Sequence, residues 1–140
     1  MNEIIKSRID DKIEEIQKGM EELYLIVPET YEDYLSDFKS RAACERYFEK
    51  IVEAVVDITF LVIRGKEYEP PKKEEGAFQI LALNGIISEN LAEKLKDGKS
   101  MRNFIAHEYG DIDDSKVYHA IAEELESDIE EFIKSVREIR

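Results

Sequence analysis

The run Ala54-Val55-Val56-Asp57-Ile58-Thr59-Phe60-Leu61-Val62-Ile63 decides the fold. It is rich in β-branched residues and apolar nearly all round. A helix of that kind lies at the centre of a bundle or at a subunit interface. A buried strand shows the same pattern over a short window. No alternating partner strand appears anywhere else in the chain, so the helix reading is taken. The run is then the second half of a helix over residues 40–64, whose first half is amphipathic through Ala43, Tyr47 and Ile51.

Moving outward, the flanks are helical too. Ile5, Ile9, Ile13, Ile16, Met20 and Leu23 recur at spacings of four and three, one apolar stripe on a long first helix that Pro28 ends. Tyr31, Tyr34, Leu35 and Phe38 suggest a short helix or ordered connection. Gly65 closes the central helix, and Glu69-Pro70-Pro71-Lys72-Lys73 is a loop. Phe78, Ile80 and Leu81 form another short helix that Asn84-Gly85 stops. Ser88 is an N-cap for a helix through Leu91 and Leu95, with Gly98 as a point of kinking or breaking. A loop over residues 110–113 precedes a last helix with the stripe Val117, Ile121, Leu125, Ile129, Phe132, Val136 and Ile139. No repeat, linker or low-complexity stretch divides the chain. The expectation is an all-α, antiparallel up-and-down helical bundle of about five helices, with residues 1–140 as a single domain.

Composition bounds the function. The chain has 140 residues, 33 Asp and Glu against 20 Lys and Arg, and a net charge of −13. A polyanion is repelled by most of such a surface, which argues against general electrostatic coating of nucleic acid but not against a local basic site. Cys44 is the only cysteine, so no intrachain disulfide and no cysteine zinc cluster can form. The early charges Glu3 and Lys6 read as no secretory leader. The most apolar stretch, residues 51–63, carries Glu53, Asp57 and Thr59 and is too short to span a bilayer. A cytoplasmic location is expected.

Chemistry gathers in Arg102-Asn103-Phe104-Ile105-Ala106-His107-Glu108-Tyr109, before a glycine-containing loop. Arginine is a permanent cation that holds phosphate oxygens in a two-pronged fork. Histidine moves protons near neutral pH. The two suffice to cleave RNA without a metal, because the neighbouring ribose 2′-hydroxyl supplies the nucleophile. On an ideal helix Arg102 and Tyr109 share a face, whereas His107 points away. The three converge only if the helix unwinds near His107 or if two copies meet. Lys94, Lys96 and Lys99 outnumber Glu93 and Asp97 in the approach to Arg102, a basic island in an acidic protein. The plainer alternative is a histidine capping helix carbonyls, an arginine paired with a surface carboxylate and a packing tyrosine. His119, with Lys116 and Glu123 near it, reads as a solvated surface residue. A di-iron bundle needs Glu three residues before His, and Phe104 and Lys116 stand there instead. Cys44, after two alanines, reads as a small core residue. No cofactor and no metal is expected.

This motif, Arg, four residues, His, one residue, Tyr, resembles that of the HEPN superfamily and, within it, the HepT-like toxins. Residues 41–46 leading into 51–58 resemble the family's central helix. Phe78-Gln79-Ile80-Leu81 with Gly85-Ile86-Ile87 resembles its next helix, and Tyr109-Gly110-Asp111-Ile112-Asp113 the loop after the motif. The resemblance spans residues 41–125. One departure is Ser100, where the family often has glycine. The resemblance implies a helical homodimer whose two motifs line one cleft. It implies a metal-independent endoribonuclease, the toxin of a type VII HEPN/MNT toxin–antitoxin system. Arg102 and His107 would be the catalytic pair, with Asn103 in support. Its partner would be an MNT-type nucleotidyltransferase that neutralises it by transferring AMP to Tyr109. A function of another class is a non-catalytic HEPN module that binds a nucleotide or a nucleotidyltransferase partner.

Overall fold

A computed structural model describes residues 1–107 and 111–139. The elements are α1 (Glu3–Ile26), α2 (Tyr31–Ser36), α3 (Phe38–Gly65), α4 (Ala77–Leu83), α5 (Glu89–His107), α6 (Asp114–His119) and α7 (Glu126–Arg137). A 3₁₀ turn at Glu74–Gly76 leads into α4, and a π-helical turn at Ala120–Leu125 joins α6 to α7. The backbone stays helical at Ala120 and at Glu126, so α6, the π turn and α7 make one continuous rod. The expected all-α up-and-down bundle is therefore what forms, with α1, α3, α5 and the rod as its long members. There is no strand among the described residues, and no helix among them is long and apolar enough to cross a membrane.

The apolar run takes the centre. In α3, Ala54, Val55, Val56, Ile58, Val62 and Ile63 are all buried, because α1, α2, α4 and α5 surround that helix. Each polar residue of the run, and Glu53 just before it, has a partner. Thr59 donates its hydroxyl to the Val55 carbonyl at 2.9 Å, Asp57 pairs with Lys12 of α1 at 3.1 Å, and Glu53 faces Arg102 of α5 at 3.6 Å. The stripe of α1 buries Ile9, Ile13, Ile16 and Leu23 against α3. Tyr34, Phe48, Phe78 and Phe132 are the largest fully buried side chains, each contributing roughly 2–3 kcal/mol by removal from water. Cys44 is buried among them, and desolvation pushes its thiol up to about 11.

Helix ends follow local chemistry. Asp37 caps α3 by accepting from the Lys39 and Ser40 amides, and Asp113 caps α6 by accepting from Ser115 and Lys116. Hydrogen bonds from Ser40 and from Ser115 hold these two carboxyls below the usual carboxylate range. Ser88 accepts from the Leu91 amide at 3.0 Å at the start of α5. Gly85, at φ +73°, turns the chain after α4. Gly98 does not break α5, which runs uninterrupted from Glu89 to His107, contrary to expectation. The glycine penalty of about 1 kcal/mol is small beside the packing of Leu91, Ala92, Leu95 and Ile105 on either side of it.

Candidate active site

Arg102 sits on the side of α5 that packs against α3, its side chain 26% exposed. Two contacts and one unpaired donor mark its guanidinium. Nη1 donates to the Asn103 side-chain oxygen at 2.9 Å. Nη2 lies 3.6 Å from Oε2 of Glu53, across the α3–α5 seam. Nε is buried and has no hydrogen-bond partner among the described residues. Arg102 and Asn103, neighbours in the chain, are thus also in side-chain contact.

His107 is the last residue of α5 and is exposed. The helix does not unwind before it. Five residues of α-helix separate the two side chains by about 140° around the axis and about 7.5 Å along it. Within one chain Arg102 and His107 therefore diverge. Tyr109 lies outside the described residues.

The basic island looks different once the bundle closes. Lys94 faces Asp128 of α7 at 3.6 Å, and Lys99, itself buried, faces Glu74 of the 3₁₀ turn at 3.8 Å. With Glu53 on Arg102, three cations of α5 each meet a carboxylate supplied by another element. Local sequence counts hide this, because the partners lie tens of residues away. Burial raises the Asp128 carboxyl above its ordinary value, and the nearby Lys94 ammonium opposes that shift.

Glu53 was not singled out by sequence. The signal available was weak: Glu53 and Asp57 stand four apart in an apolar run, hence on one helix face. His119 lies outside this seam. Its ring nitrogens meet Glu123 at 2.7 Å and Glu124 at 3.2 Å, and it borders a cleft of about 230 Å³ with Lys94, Gly98 and Met101. Among the described residues no group of three His, Cys, Asp or Glu side chains is placed to hold a metal ion.

A helical bundle carrying Arg, four residues and His at the end of one helix defines a HEPN-type protein. A family model described as ribonuclease HepT-like matches residues 9–136, and the chain belongs to that family. It is 28% identical over 114 residues to a tRNA nuclease HepT from Aphanizomenon flos-aquae (strain 2012/KM1/D3), across 81% of this chain and 78% of that one. It is 27% identical over 104 residues to an mRNA nuclease HepT from Shewanella oneidensis, across 74% and 77%. Among solved structures, a tri-AMPylated HEPN toxin from Shewanella oneidensis, in complex with an MNT antitoxin, matches with a TM-score of 0.79 at 26% identity and 98% coverage of both chains.

Proposed function

We propose that this chain is an endoribonuclease toxin with Arg102 and His107 as its catalytic pair, neutralised when an MNT-type nucleotidyltransferase transfers AMP to Tyr109. The observation that carries the reading is Arg102, a guanidinium anchored at a helix seam and flanked by an amide that fixes its plane. Family membership and the AMPylated, antitoxin-bound relative support it.

The chemistry needs no metal. A ribose 2′-hydroxyl gives up its proton and attacks the adjacent phosphorus, the 5′-oxygen leaves and takes a proton, and a 2′,3′-cyclic phosphate results. An imidazole serves as proton acceptor or donor, and the guanidinium meets the charge that builds on the phosphate oxygens. Since Arg102 and His107 diverge within one chain, the reading requires a homodimer in which motifs from two copies line one cleft. Adding AMP to Tyr109 puts bulk and phosphate charge into that cleft, pairs with the arginine and shuts out RNA. The remaining parts of the reading are one HEPN-type domain over residues 1–140 and a cytoplasmic location.

The net charge of −13 favours a second reading, a non-catalytic module that binds an electropositive nucleotidyltransferase. One experiment separates the two. The chain is co-expressed with such a nucleotidyltransferase, weighed intact and assayed for RNA cleavage in the presence of chelator, beside Tyr109→Phe and His107→Ala. An AMP adduct absent from Tyr109→Phe, with chelator-resistant cleavage only by unmodified protein and none by His107→Ala, is expected. No adduct and no His107-dependent cleavage would leave the binding module.

A further inference from the structure

We propose that Glu53 is a positioning residue for Arg102, gripping one edge of the guanidinium so that the opposite edge faces the substrate phosphate. The inference rests on the reading of Arg102 as the phosphate-binding cation. A guanidinium offers two forks. The side fork is Nε with Nη2, and the end fork is Nη1 with Nη2. Nη2 is the nitrogen that faces Glu53, and Nε beside it is the buried donor without a partner among the described residues. Glu53 thus meets the nitrogen that the two forks share, next to the donor that has no partner among the described residues. Asn103 holds Nη1 from the other end at 2.9 Å. Together they fix the plane of the ion while each Nη keeps a second N–H for phosphate.

The placement of Glu53 supports a role beyond surface charge. It stands in the part of α3 where Val52, Ala54, Val55 and Val56 are all buried, so core packing on the other faces of the helix holds its backbone in place. A carboxylate on that helix gives a fixed reference to an arginine on α5. Exposed pairs contribute little to stability, about 0–1 kcal/mol, so this one is not needed to hold the fold. Orientation of a transition-state cation is a different matter, because misplacement by an ångström is felt in turnover.

The test uses the full-length chain and a single-stranded RNA substrate. Glu53→Gln keeps the shape and removes the charge. Expected is a fall in kcat of about tenfold with KM changed less than about twofold, and an unchanged melting temperature. The Glu53→Gln/Arg102→Ala double variant should be no slower than Arg102→Ala alone, since Glu53 acts only through Arg102. A second readout needs no activity. The Nε–H resonance of Arg102, assigned by its loss in Arg102→Lys, should broaden through solvent exchange in Glu53→Gln and recover in Glu53→Asp. Full cleavage by Arg102→Ala would overturn the catalytic reading of Arg102. An inactive Arg102→Ala beside a fully active Glu53→Gln with an unaltered Nε–H resonance would overturn the positioning role alone. Faster turnover by Glu53→Gln would also overturn it, by showing that the carboxylate is a brake.

Discussion

The Tyr24 hydroxyl donates a 2.6 Å hydrogen bond to the carbonyl of Ile121, tying the end of α1 to the π-helical turn of the last rod. A π turn shifts the backbone from four-residue to five-residue hydrogen bonding, and carbonyls at such a change of register seek outside partners. Tyr24 supplies one.

Tyr24→Phe should therefore destabilise the chain by about 1 kcal/mol and lower the melting temperature by roughly 3 °C. The same residue predicts an alkaline limb. Burial pushes its phenol from its ordinary value near 10 up to about 12, with Glu126 adding to the shift. The folded state thus prefers the neutral phenol. That contribution is whole below pH 10 and is lost as pH rises from about 10 to 12. Denaturant titrations across this window should show a shallower loss of stability in Tyr24→Phe than in the parent; equal slopes would remove Tyr24 from the account.

Tyr34→Phe should have the opposite sign. Tyr34 is fully buried and packs on Tyr118 with ring centroids 5.1 Å apart, yet its hydroxyl has no partner among the described residues. Burial strongly raises its phenol as well. An unsatisfied buried hydroxyl costs roughly 1–3 kcal/mol. Removing it keeps the ring and relieves that cost, so the melting temperature should rise by a few degrees. A fall would mean that a bound water serves the hydroxyl.

This contrast marks what the sequence could and could not convey. The stripe of α1 and the apolar run of α3 give their burial directly, because periodicity is a property of neighbours in the chain. The cap Ser88 and the stop Asn84-Gly85 are legible for the same reason. The π turn over Ala120–Leu125 is not legible in this way, since Val117, Ile121, Leu125 and Ile129 recur every four residues just as Ile5, Ile9 and Ile13 do in the regular α1. Pairings across elements are not legible. Lys99 with Glu74 and Arg102 with Glu53 depend on helices that meet only in three dimensions, which is why a basic island in sequence becomes a set of matched charges.

Gly98→Ala should stabilise the protein. Gly98 lies inside α5 at helical dihedrals, and a methyl group there would meet nothing within 4 Å. Alanine restricts the unfolded chain and suits the helix, a gain of about 0.5–1 kcal/mol. Thermal denaturation of the variant should show a rise of roughly 2–4 °C with no change in helical content. The glycine opens the cleft it shares with Lys94, Met101 and His119. If the melting temperature falls instead, the cleft wall is tighter than the open space at Gly98 indicates.

Asn103 offers a sharper probe of the arginine than deletion of the arginine itself. Its side-chain oxygen accepts from Arg102 Nη1 at 2.9 Å, and a hydrogen bond to a charged group is worth about 1.5–3 kcal/mol. Little of that should appear in stability, since the pair lies near the surface of the seam and water can replace the amide. It should appear in turnover. Asn103→Ala frees Nη1 and lets the guanidinium rotate about the Glu53 contact, lowering kcat on RNA by about tenfold or more at unchanged melting temperature. Asn103→Asp separates orientation from charge. It keeps an acceptor on Nη1 and so holds the plane of the ion, but it adds a negative charge where, on the proposed function, substrate phosphate approaches. Its KM should therefore rise while kcat falls less than in Asn103→Ala. Equal kcat losses in the two variants, with KM unmoved in both, would mean that the amide N–H₂ rather than its oxygen is the group that matters.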